Sequence, residues 1–439
     1  MSDLTRRGML QALGAAGLGA VGLSACRTDS EAEGVESARA LLELWTHDPG
    51  YASFFTEAAE AGLVEGSSWT YDVNVTNAAQ EDIMTRLITQ AVAGRPLPDM
   101  AGIDVDQFPR AMRSEIAENL FVDLTALTDE HGEGLLRTEA YSSDGRVYAI
   151  ESDNCISVMW YRQDLFQERG IPEDVETWEE MLEIGAEVAA DTGEAIGMVS
   201  NSGSGAIVQT FGQLLLQRGG HFYDEGGELA VVSDEAVDAL ELMAEGVRTG
   251  AFLSLSDPYG GATAAALNDG RLMSMVMPNW YEVYGLQANV PDQEGLWRAR
   301  TIPRFSGGGH IATTAGGTAF SVVRDQELTE AAVDFLHRTY LTPEGQLARY
   351  HAGAYLPTLV DLYDTPEFQE ITSDFLGGQR IFEVYAEAAE DLPPYHQSEN
   401  ALQMREVFAG PLLNAIHGQV APEDALEAAA DDYHRQVRE

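Results

Sequence analysis

Gly145-Arg-Val-Tyr-Ala-Ile150-Glu-Ser-Asp-Asn-Cys155-Ile-Ser-Val-Met-Trp160-Tyr-Arg-Gln-Asp-Leu-Phe166, then Gly170-Ile-Pro172 and Thr177-Trp-Glu-Glu180, is the stretch that decides the fold. Aromatic and branched residues at 147–150 and 156–161 predict two strands. The four residues between them, Glu151 to Asn154, form a polar elbow. A short helix begins at Asp164 and stops at Gly170, where a glycine can take the left-handed C′ conformation. Thr177 and Glu180 have the spacing of a capping box, which opens a helix through Met181, Leu182 and Ile184.

Outward from this stretch, strands and helices alternate. Residues 41–45 predict a first strand that ends in Trp45-Thr46-His47-Asp48, and a helix carries Phe54, Phe55 and Ala58. A second strand spans 69–75. Ile83, Met84, Leu87, Ile88 and Ala91 fall on one helical face, closed by Gly94. The run 98–104 reads as a buried strand whose carboxyl end presents Asp104 and Asp106. Such alternation is doubly wound α/β, in which ligands sit beyond the carboxyl ends of the strands. Further on, 197–199 and 272–277 predict strands and 236–248 an amphipathic helix. Thr342 is an N-cap with Pro343 at the first helical position, and the tail from Phe408 to Tyr433 is helical.

This order resembles the crossover of extracellular solute-binding proteins of family 1, the maltose-binding-protein-like receptors of ABC sugar importers. Their pattern is an apolar strand after Tyr-Ala-Ile, a Leu-Phe helix, a glycine, and Thr-Trp-Glu-Glu. Glu151 stands where that family often has proline, and Arg162-Gln163 replaces its Asn-Lys. The resemblance spans residues 40–435. It implies an α/β, two-lobed, hinged periplasmic-binding-protein-like fold of type II with a helical C-terminal segment. Lobe 1 is expected at 40–149 plus 303–341 and lobe 2 at 150–302 plus 342–439, with crossings near 149–154 and 298–303. The resemblance further implies a receptor that does no chemistry itself, but is expected to close on an oligosaccharide and deliver it to the transmembrane subunits of an ABC permease. Pro278-Asn279-Trp280-Tyr281 corresponds to the family's Gly-Pro-Trp corner, with Trp280 as the residue that stacks on sugar. Gly316-Gly317 resembles its Gly-Gly strand, and Tyr355-Leu356-Pro357 its late pocket loop.

A sugar needs flat aromatic surface for its C–H faces and planar polar groups for its hydroxyls. The candidates are Trp45, Tyr223, Tyr259, Trp280, Tyr281 and Tyr355 among the rings. Asp104, Asp106, Asp153, Asn154 and the backbone at Gly317 are the polar ones. Trp178 is expected under the helix it starts. Two other readings compete: a secreted hydrolase using paired carboxylates, and a receptor for a polyol or other non-sugar solute. No Gly-x-Ser-x-Gly, His-Glu-x-x-His or P-loop pattern is present. A metal receptor built on His47, His221, His310 and His351 is disfavoured by the abundance of aromatics, so neither metal nor cofactor is expected.

Composition bounds the habitat. Asp plus Glu number 72 against 25 basic residues, a formal net charge of −47 in 439 residues, and every basic side chain except histidine is arginine. Such self-repulsion acts over roughly 10 Å at 0.1 M salt but only about 3 Å at 1 M, which points to a salt-rich exterior. No basic stripe exists for nucleic acid. Residues 1–26 read as an export signal: Thr5-Arg-Arg-Gly-Met-Leu10 is a twin-arginine pattern, and a small apolar run ends in the lipobox Leu23-Ser-Ala-Cys26. The run is shorter than the ~20 residues needed to span a bilayer. Cleavage before Cys26 and lipid on its thiol would tether the protein to the outer face of the cytoplasmic membrane through a flexible segment, 27–39. The Gly17-x-Gly19-x-x-Gly22 match lacks a preceding strand and belongs to the signal. With Cys26 so used, no disulfide framework remains, Cys155 is a small buried hydrophobe on a strand, and the protein is expected to be a monomer.

Overall fold

The computed structural model of the chain describes residues 38–60 and 67–437; the expected export signal with Cys26 and the expected tether up to 37 lie outside them. Two twisted sheets, each covered by helices on both faces, divide the described residues into two lobes. The first sheet uses β1 (Ala38–Thr46), β2 (Trp69–Asn77), β3 (Met100–Asp104), β4 (Ile150–Glu151) and, from far along the chain, β11 (Thr318–Val322). Their order is β2-β1-β3-β11-β4. The first three pair in parallel, and β11 inserts antiparallel between β3 and β4. In β1 the side chains of Ala40, Leu42, Leu44 and Thr46 are buried while their neighbours are not, the two-residue period of a strand with one core face. That face packs on α1 (Pro49–Glu60) through Phe54 and Phe55, with Phe320 and Phe335. The opposite face packs on α2 (Gln80–Val92) through Ile83, Met84 and Leu87.

The spine of the second lobe is β5 (Ile156–Arg162), buried along its whole length. Ile156, Val158 and Trp160 point into one core and Met159 and Tyr161 into the other, so the strand reads as an unbroken apolar run. It ends in α3 (Gln163–Arg169), stopped by Gly170 at φ +70°, and α4 (Trp178–Thr192) opens with Thr177 accepting from the Glu180 amide at 3.3 Å. Trp178 is buried, its Nε1 donating to Gln217. The lobe continues through β6 (Gly197–Ser200), α5 (Ser204–Arg218), α6 (Asp234–Thr249), β7 (Phe252–Leu255), α7 (Gly261–Asn268) and β8 (Ser274–Pro278). β8 pairs antiparallel with one edge of β5. β9 (Trp297–Arg300) and the short β10 (Thr313–Thr314) share its other edge.

These pairings relocate the second crossing. Because β9 and β10 both remain on β5 and β11 is already on β3, the chain changes lobes at 315–317, not at 298–303. The lobe 1 element α8 (Thr329–Tyr340) is followed by α9 (Pro343–Gly353), whose Thr342 cap accepts from the Gly345 amide at 3.2 Å. α9 packs against α1 and α8, so it belongs to lobe 1, whereas 342 had been expected to open lobe 2. The third crossing follows it: Tyr355 and Leu359 enter the lobe 1 core, Leu356 and Tyr363 the lobe 2 core. The tail is helical as anticipated, with α10 (Ile381–Glu390) on the second sheet and α11 (Ala401–Ile416) and α12 (Pro422–Val437) packed on α5 and α6. β1 begins at Ala38, two residues inside the expected tether. Among the described residues no helix is long and apolar enough to cross a membrane.

Candidate functional site

The three crossings are stitched to one another. Arg137 and Glu151, both nearly inaccessible, form an ion pair at 2.8 Å, and Arg137 Nη2 also donates to the carbonyl of Gly316 at 3.0 Å, joining the first crossing to the second. Asn154 Nδ2 donates to the carbonyls of Pro357 (2.8 Å) and Thr358 (3.2 Å) and to Tyr363 Oη (2.9 Å), joining the first to the third. Gly317 sits at φ +111°, and a Cβ there would come within 2.5 Å of Cys155 Sγ, so this close approach requires glycine. Cys155 is fully buried, but in the left-handed region (φ +51°) one residue before β5 rather than on the strand.

Above these crossings a cleft of about 390 Å³ opens between the lobes, within the range of small-ligand sites. Its floor is Asp153, Gly316, Gly317 and Thr318. Asp153 is 1% exposed; its Oδ1 accepts the Cys155 amide at 2.5 Å and its Oδ2 accepts Asn279 Nδ2 at 3.3 Å. Burial raises its pKa, and those bonds partly offset the effect.

The lobe 1 wall comes from strand ends and helix starts. His47 and Asp48 follow β1, and Asp48 Oδ1 accepts the Gly50 amide at 2.7 Å, capping α1. Tyr51, in the first turn of α1, bonds Ser152 Oγ at 2.8 Å and stacks on Tyr355 with centroids 4.7 Å apart. Gln80 starts α2, Asp104 ends β3 and Asp106 lies in the turn two residues on. Asp106 is ion-paired with Arg405 of α11. Asp104 is 8% exposed; burial first, then the neighbouring Asp106, push its pKa up to about 8. His47 is lowered by burial and is neutral near pH 7.

The lobe 2 wall carries rings and amides. Gln209 and Gln213, four apart on α5, share a face. Trp280, just after β8, donates Nε1 to Tyr259 Oη at 2.7 Å, which fixes the indole against a tyrosine that is 41% exposed. Tyr284, four residues beyond Trp280, meets Tyr355 Oη at 3.1 Å, and Tyr355 donates to Asp48 at 3.3 Å, so a hydroxyl chain crosses from one lobe to the other. Four aspartates (Asp48, Asp104, Asp106 and Asp153) and no arginine line the cleft among the described residues. Such a wall accepts hydrogen bonds and stacks on apolar faces; it repels an anion.

Of the residues expected here, Asp104, Asp106, Asp153, Tyr259, Trp280, Gly317 and Tyr355 line this cleft. The others lie elsewhere. Trp45 faces the α2 side of the first sheet, because β1 alternation sends it opposite to Leu44 and Thr46. Asn154 is fully buried, its Nδ2 committed to the crossing bonds. Tyr223 is buried in the lobe 2 core, beside a small hollow beyond Asp106 and Arg405. Tyr281 is fully buried, its hydroxyl donating to the Pro258 carbonyl. His47, Asp48, Tyr51, Gln80, Gln209, Gln213 and Tyr284 line the cleft without having been expected. The rule that ligands meet strand ends would have reached His47 and Asp48, and the four-residue spacing from Trp280 would have reached Tyr284. The four histidines do not gather: His310 is bound to Asp391, His221 packs on His396, and among the described residues no group of three ligating side chains could hold a metal.

Residues 22–373 match the family model described as bacterial extracellular solute-binding protein. The arabinooligosaccharide-binding protein of Halalkalibacterium halodurans is 26% identical over 411 residues, which cover 90% of this chain and 89% of that one. The lactose-binding protein of Rhizobium radiobacter is 27% identical over 373 residues, 80% and 82% of the two chains. Among solved structures, the cyclic alpha-maltosyl-1,6-maltose binding protein from Arthrobacter globiformis superposes with a TM-score of 0.74 over 91% of this chain and 99% of that one, at 19% identity, a likeness of fold.

Proposed function

Because the chain belongs to the bacterial extracellular solute-binding protein family, we propose that it is the capture component of an ABC importer and holds a neutral oligosaccharide between its lobes. One observation carries this reading: the cleft sets the rings of Trp280, Tyr259 and Tyr284 against four aspartates, with no lining arginine among the described residues. Stacking on the rings holds the C–H faces of a sugar, and the aspartates and glutamines take its hydroxyls. The names of the arabinooligosaccharide- and lactose-binding relatives support a short neutral glycan. A sugar acid or sugar phosphate fits a lining without arginine less well.

Binding closes the lobes about the three crossings, and closure is driven only by the ligand's preference for the closed form. The closed receptor then presents its load to a membrane permease as a monomer. Export by the twin-arginine signal and lipid on Cys26 keep it at the outer face of the membrane; mass spectrometry of the native protein for a diacylglyceryl group on Cys26 tests that anchor. For the ligand, a thermal-shift panel of arabinotriose, lactose, maltotriose, mannitol and galacturonate in molar salt is the direct test. A specific binder raises the melting point by mass action. A neutral glycan is expected to do so and to be recovered uncleaved. A shift by mannitol or galacturonate alone overturns the sugar reading, and hydrolysis products would make the protein an enzyme.

A further inference from the structure

The corner of the cleft at the end of β3 holds two carboxylates and one committed cation. Asp104 and Asp106 are two residues apart and both line the cleft. Arg405, arriving from α11, hydrogen-bonds and ion-pairs with Asp106. Asp104 is left with the Asp106 amide, which donates to its Oδ1 at 2.8 Å, and with the Gln80 side chain of α2. The other titratable groups that face it are Arg405, whose charge lowers the Asp104 pKa, and the phenols of Tyr141 and Tyr395, which do not neutralise a carboxylate. A buried acid beside a second acid, with the one facing guanidinium already hydrogen-bonded to that neighbour, keeps its proton because burial outweighs the shared cation.

Resting on the reading that the cleft holds a sugar, we propose that Asp104 enters the site un-ionised and donates its carboxyl hydrogen to a ligand hydroxyl, while Asp106, ion-paired with Arg405, accepts one. Ligand and one proton are then bound together, and the receptor releases its hold as the medium turns alkaline. The direction agrees with the raised pKa of about 8. Ionising Asp104 removes the donor and sets a second negative charge beside Asp106, which already engages Arg405.

The experiment is calorimetric titration with arabinotriose, lactose and maltotriose in molar salt at pH 6, 7, 8 and 9, on the wild type and on Asp104→Asn, whose fold is checked by circular dichroism. The sugar that binds at pH 6 should bind the wild type about tenfold more weakly at pH 9 than at pH 7, the ratio that a pKa near 8 dictates. In Asp104→Asn that slope disappears, whatever its affinity at pH 6. Wild-type titrations in two buffers of different ionisation enthalpy should give close to one proton taken up per sugar at pH 9 and none at pH 6. This readout decides the matter even if the variant does not bind. Wild-type affinity constant within twofold across the range, or a slope that survives in Asp104→Asn, overturns the proposal. Failure of every sugar to bind at pH 6 overturns the sugar reading beneath it.

Discussion

Asp104 and Trp280 show how a single side chain acquires its role from the end of a strand. The carboxyl of Asp104 is buried, and its pKa of about 8 lies far above the ~3.9 of an unfolded aspartate. The folded chain therefore holds a proton that the unfolded chain has lost, and stability from this group is complete below the unfolded value and declines as pH rises through 8. Asp104→Asn cannot ionise. In thermal unfolding, between pH 5 and pH 9 the variant should gain in stability on the wild type by an amount on the order of 4 kcal/mol, about 1.4 kcal/mol for each pH unit up to 8. Equal melting at both pH values would contradict the burial argument. Trp280 and Asp104 were legible in the sequence because each follows a strong strand signal. Tyr281 was not, although it is the next residue. Past β8 the chain turns helically, so neighbours point apart: Tyr281 goes to the core and Tyr284, a turn later, returns to the cleft.

Elements were legible where local chemistry sets them. The Thr177 and Thr342 caps and the left-handed stop at Gly170 are properties of short stretches. Apart from β7 and β10, which were not expected, the strands of both lobes begin within a few residues of their expected places. The second crossing was not, because an extended run ending at Pro303 looks the same whether it bridges lobes or pairs with β5, and pairing is a tertiary fact. The better signal was Gly316-Gly317, the dipeptide whose backbone conformations other residues resist. Asn154 teaches the same lesson, since a polar residue beside a cleft can serve the scaffold instead. Its amide holds two carbonyls and a phenol of the third crossing, so Asn154→Ala leaves buried acceptors unpaired and should cost about 1–3 kcal/mol in denaturant unfolding. A loss below a few tenths would mean that the crossings are not tied through this residue.

At the scale of the whole molecule, the net charge of −47 was plain in the composition, and molar salt would screen it to within about 3 Å. The two-lobed architecture and its family were legible from the crossover stretch, since strand, elbow, strand and capped helix recur in that order. The walls of the cleft were only half legible, because which side chains meet across two lobes depends on contacts between residues hundreds of positions apart. The central claim is that a sugar is held between those walls against the indole of Trp280, the only tryptophan among the described residues lining the cleft. Calorimetric titration of wild type and Trp280→Ala in molar salt, with whichever neutral glycan the panel identifies, tests it most directly. Trp280→Ala should lose about 1–3 kcal/mol in binding, with thermal unfolding of the free protein little changed; equal affinity in the two proteins would mean that the sugar does not rest on this ring.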